Sequence, residues 1–78
     1  MNIKTAATET KQLAEKCNSF PMHPESLSRA HIIDMLTKIE SSEIMGEQAH
    51  RWLGWSQAAI VAVGCANLSD MKEINRLS

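Results

Sequence analysis

Glu43-Ile44-Met45-Gly46-Glu47-Gln48-Ala49-His50-Arg51-Trp52-Leu53-Gly54-Trp55-Ser56-Gln57-Ala58-Ala59-Ile60-Val61-Ala62-Val63 is the stretch on which the fold turns. Met45, Ala49, Trp52, Ser56, Ala59 and Val63 fall at helical spacing and make one stripe, which Leu53 and Ile60 widen. The first half is amphipathic. From Trp52 onward the segment is apolar almost all round, the pattern of a helix buried on several sides. A long helix over about 43–63 follows, and Gly64 stands where a C-terminal cap glycine is expected.

Working outward, Leu27, Ala30, Ile33, Leu36 and Ile39 recur every three residues, with Ile32 and Met35 beside them, and predict a preceding helix. Pro24 suits its first turn, where a missing N–H costs nothing. Ser41-Ser42 predicts its end, although Glu40, Glu43 and Ile44 also permit one continuous helix through the serine pair. Upstream, Ile3, Ala6, Ala7, Leu13, Ala14 and Cys17 give a thin apolar stripe and a first helix over about 3–17. Asn18 to Pro24 breaks it, because two prolines remove donors and push their neighbours out of the helical region; Phe20 and Met22 are expected to turn inward there. Asn67 or Ser69 caps a short last helix carrying Leu68, Met71, Ile74 and Leu77. The reading is a single all-α domain over 1–78, a bundle of three to four helices with a helical core over 25–78.

Composition narrows the function. In 78 residues one core supplies roughly 3–5 kcal/mol of net stability, so self-association would be a natural supplement. Eight Lys+Arg are scattered among nine Asp+Glu, for a net charge of −1. A duplex nucleic-acid binder needs a basic surface to displace counterions, so DNA and RNA are not expected as partners. The most apolar run, 52–66, is too short and too polar for a hydrocarbon layer of about 30 Å. No apolar run follows the early Lys4, so no secretory signal is read and the cytoplasm is the expected location. Cys17 and Cys65 lack a CxxC or a His at ligand spacing and read as two reduced, partly buried thiols.

Chemistry-bearing residues are sparse. In one continuous helix Glu40, Glu43, Glu47 and His50 would share a side, and Glu47-x-x-His50 has the spacing of di-metal helical bundles, which need a second copy of the motif. Glu40-x-x-Glu43 with Asp70-x-x-Glu73 loosely resembles the paired acidic motifs of all-α nucleotide pyrophosphohydrolases, with the residue order changed. Acidic residues at this spacing also make an ordinary solvated face, so a metal-dependent enzyme is only the remote alternative. No nucleophile elbow or phosphate loop is present. His23 and His31 read as surface or satisfied packing residues. No enzyme, metal or cofactor is expected.

Gly54, Ala58 and Ala62 recur every four residues. A glycine inside a helix costs about 1 kcal/mol relative to alanine, so a close helix approach should compensate, either within the subunit or across a self-association face. Trp52 reads as core. Trp55 is either core or exposed; if exposed, Arg51 one turn before it can offer a cation beside a flat indole.

At Arg51-Trp52-Leu53-Gly54-Trp55-x-Gln57, Gly64 and Met71-x-x-Ile74-Asn75-Arg76 the chain resembles small helical proteins of tailed phages and prophages that end in an RWLG-aromatic-x-Q helix. The resemblance covers roughly 43–76. It implies an accessory protein in the host cytoplasm that binds a host factor, in some cases to blunt host defence. Leu36-Thr37-Lys38-Ile39-Glu40 is also similar to a segment of phage anti-defence sponges for cyclic-oligonucleotide signals. The functional expectation is therefore a homo-oligomeric interaction protein with Arg51 and Trp55 as contact residues. The alternative is an oligomeric sponge holding an anionic nucleotide through Arg29, Lys38 or Arg51.

Overall fold

The computed structural model describes residues 1–78. Four α-helices, α1 (Ile3–Lys16), α2 (Arg29–Glu40), α3 (Gly46–Ala62) and α4 (Leu68–Leu77), follow in order, with a single 3-10 turn (Glu25–Leu27) ahead of α2. There is no strand, and no helix is long and apolar enough to cross a membrane.

Local chemistry sets most of the boundaries. The Asn2 side chain accepts the Lys4 and Thr5 amides at 3.0 and 3.2 Å, satisfying donors that an α-helix leaves open at its start. Ser28 does the same for α2 through the His31 amide at 3.2 Å. Asn67 and Asp70 form a reciprocal capping box at α4. Gly64, at φ +82°, ends α3 in the left-handed region as expected.

Between α2 and α3 the chain is not continuous. Ser42 sits at φ +63°, and the Glu43 and Ile44 amides both turn back to the Lys38 carbonyl, at 2.9 and 3.2 Å. This reversal drives Ile44 into the core, where it is 9% exposed. The helix then restarts at Gly46, so Met45 precedes its first turn and points to solvent rather than joining the stripe.

The core is made mainly by α2 and α3. Ile32, Met35, Leu36 and Ile39 of α2 meet Leu53, Ala59 and Ile60 of α3, with Ile44 and Met71 closing the sides. The inward face of α2 is therefore rotated from the expected 27-30-33-36-39 stripe: Leu27 lies in the 3-10 turn and Ala30 is exposed. Helix α1 contributes only small buried side chains, Ala6, Ala7, Thr10 and Ala14. It can approach α2 closely, but its larger apolar residues, Ile3 and Leu13, are only partly buried, so the apolar area it buries is modest. Phe20 packs against the core, whereas Met22 is 82% exposed and plugs nothing.

What α1 lacks in apolar area it makes up in specific links. Lys11 Nζ lies 2.6 Å from Glu40 Oε1, and the Thr8 hydroxyl donates to the other carboxylate oxygen. Burial acts to raise the Glu40 pKa, but hydrogen bonds from Lys11 and Thr8 and the lysine charge outweigh it and hold the group below 4.5. A lowered folded-state pKa contributes stability that is present above the ordinary value and lost as pH falls through the folded one. Urea unfolding should therefore become easier as the pH drops below 4.5. Lys11→Met should flatten that acid-side dependence and cost about 1 kcal/mol at neutral pH.

The two cysteines correct the sequence reading. Cys17, just past α1, and Cys65, just past α3, are joined as a disulfide with a Cα–Cα distance of 5.8 Å. They are not free thiols. No spacing rule connects residues 48 apart; only the packing of α1 beside α3 brings the two helix ends together.

Candidate interaction surface

The sequence expectation of a third helix covered on several sides fails along one strip. Arg51, Trp55, Ala58 and Ala62 stand at i, i+4, i+7 and i+11, share one side of α3 with Gly54, and are all exposed. The opposite side carries the buried Ala49, Leu53, Ser56, Gln57, Ala59 and Ile60.

Trp55 is 45% exposed, and its indole N–H donates to the Ser26 carbonyl at 3.1 Å. That bond ties the ring to the 3-10 turn and leaves much of the indole surface open. Trp52, one turn earlier, is half-buried, with the His31 ring set edge-on at 5.8 Å. Ser26, Gln48, Arg51, Trp52 and Trp55 line a depression of about 570 Å³. Arg51 makes no ion pair there, so its charge remains available. His31 is a packing residue as expected but not a satisfied one, since its Nε2 is buried without a hydrogen-bond partner.

On the other side of the strip a second groove, of about 450 Å³, runs between α3 and α4. Gly54, Ala58 and Ala62 form its small-residue edge, and Leu68 and Met71 face them. A Cβ built on Gly54 would meet nothing within 4 Å beyond its own helix. Close packing inside the subunit therefore does not account for this glycine, which removes one of the two explanations open at the sequence level.

Beneath the groove lies a polar cluster that sequence reasoning missed. Gln57 Nε2 donates to Thr10 Oγ1 at 3.2 Å and to Asn75 Oδ1 at 2.9 Å, and Asn75 Nδ2 returns a bond to Gln57 Oε1 at 3.1 Å. Thr10 in turn donates to the Ala6 carbonyl. One buried glutamine so joins α1, α3 and α4. Its signal was a lone polar residue at a core position, which reads equally well as surface.

The other nominated residues lie apart. Arg29 Nη1 donates to the Glu15 carbonyl at 3.2 Å and borders a separate depression beside Phe20 and Met22. Lys38 pairs with Asp34 at 3.2 Å. Neither lines the depression that holds Arg51. The acidic face proposed for Glu40, Glu43, Glu47 and His50 required a continuous helix, and the turn at Ser42 breaks it. Glu40 is held by Lys11 and Thr8, while Glu43, Glu47 and His50 are exposed. Asp70 caps α4, and Glu73 pairs with Arg76 at 3.0 Å. No three His, Cys, Asp or Glu residues converge to hold a metal ion.

Fold and surface together define a small all-α domain with one open helix face. No protein-family model, curated protein or solved structure matches the chain.

Proposed function

We propose that this chain is an interaction protein that docks through the open face of α3. A second copy packs on the Gly54-Ala58-Ala62 edge, and a partner protein engages Arg51 and Trp55. The observation that carries the reading is Gly54: a helix-interior glycine costs up to about 1 kcal/mol, and no neighbour in the subunit needs the space it leaves. Trp and Arg are the residue types richest in binding hot spots, and here they adjoin that edge. The phage resemblance supports a host factor as the partner and counter-defence as the setting.

Gly54→Ala separates the two roles of the position. The subunit should gain about 0.5–1 kcal/mol in helix stability, since the new methyl meets open space. Self-association should weaken, because the methyl intrudes on the helix crossing. A variant that melts higher and associates as before would count against the reading. Arg51→Glu and Trp55→Ala should each reduce capture of the partner while leaving helical circular dichroism intact; unchanged capture by both would remove them from the contact surface.

A further inference from the structure

We infer that the Cys17–Cys65 bond is a redox-addressable latch that holds α1 on the bundle, so that the complete four-helix form belongs to an oxidising environment. The fully buried side chains of α1 are all Ala or Thr, and its larger apolar residues, Ile3 and Leu13, are only partly buried against the core, so modest apolar area keeps it in place. Its polar ties include the Lys11–Glu40 pair, the Thr8–Glu40 bond and the Thr10–Gln57 hydrogen bond. The disulfide is its one covalent tie to the end of α3.

The two sulfurs differ in access. Cys17 is 2% exposed, whereas Cys65 is half-buried beside the turn at Gly64. A dithiol reductant therefore attacks through its thiolate at Cys65 Sγ, forming a mixed disulfide. Cys17 leaves as a thiolate and takes up a proton. The reductant's second thiol then displaces Cys65 and closes its own disulfide, so the two electrons gained by the protein come from the dithiol. Because disulfides persist in oxidising compartments and not in a glutathione-reduced cytosol, the latch runs against the cytoplasmic location expected from the sequence.

The test is amide hydrogen exchange on the whole chain, before and after reduction with dithiothreitol, with alkylation and intact mass reporting the thiol state. Without reductant, neither cysteine should alkylate. After reduction, the α1 amides should exchange faster by roughly 30- to 1000-fold, the range expected on releasing a disulfide. The amides of the α2–α3 core should also lose protection, by no more than the drop in global stability, and should stay slower to exchange than those of α1. The Cys17→Ser/Cys65→Ser variant should reproduce the reduced pattern without any reductant. Alkylation of the untreated protein, unchanged α1 exchange, or α1 and α3 amides exchanging at one common free energy after reduction would each overturn the inference.

Discussion

Cys17→Ser should lower the free energy of unfolding by about 3–4 kcal/mol, the largest single effect expected for this chain. The bond spans 48 residues, and closing a loop of that length restricts the unfolded ensemble far more than the folded one. A domain of this size is stabilised by roughly 4–12 kcal/mol in total, so the variant should lose a large share of its stability. Wild-type protein in excess dithiothreitol should match it, because both lack the same cross-link. Urea denaturation of oxidised, reduced and variant protein checks this directly. Coincident curves for oxidised and reduced protein would show that the bond contributes nothing to stability.

The second large effect is expected at Gln57. Gln57→Ala should cost roughly 2–4 kcal/mol, combining a cavity beneath the groove with the loss of both hydrogen bonds to Asn75 and the one to Thr10. Thr10 keeps its bond to the Ala6 carbonyl, so the polar loss falls mainly on the half-buried Asn75 amide. Asn75→Ala should cost less, and the double variant should be less destabilised than the sum of the singles, since the two residues form one unit. Strict additivity in urea denaturation would show that the pair is not energetically coupled. Helix α4 depends on this link because Met71 is its one fully buried residue.

Much of the fold was legible because the signals were local. Asn67 and Gly64 mark ends of helices through side-chain or backbone chemistry within a few residues; Pro24 does not open α2 as expected, since it precedes the 3-10 turn and α2 begins at Arg29 behind the Ser28 cap. The unreadable parts were non-local or shared by two structures. Ser41-Ser42 suits a helix as well as a turn; the turn forms as Ile44 enters the core. The phase of α2 was misjudged because Leu27 and Ala30 continue the apolar pattern past the point where the α-helix begins. Cys17 and Cys65 carry no mark of their pairing, which follows from how α1 packs beside α3. The site divides similarly. Arg51 and Trp55 were nominated together and do share a depression, whereas Arg29 and Lys38 were nominated for charge alone and lie elsewhere. Ser26, whose carbonyl fixes the Trp55 indole, could not be found from sequence, since a backbone acceptor has no residue signature.

These differences converge on α3. Its second half is apolar almost all round, yet four helices cover only part of it. Gly54, Trp55, Ala58 and Ala62 remain at the surface, next to an arginine with no ion-pair partner. Contiguous apolar surface of this kind marks interaction sites. Ala58 lies at the middle of the strip, and its exposure means that a long charged side chain can be placed there without entering the core.

Sedimentation velocity on oxidised wild type and Ala58→Arg, at matched micromolar concentrations, tests the interaction face most directly. The wild type should sediment as a dimer or larger, and Ala58→Arg as a monomer with the same helical circular dichroism. A wild type that remains monomeric throughout, or a variant that associates equally well, would contradict the assignment of this face to assembly.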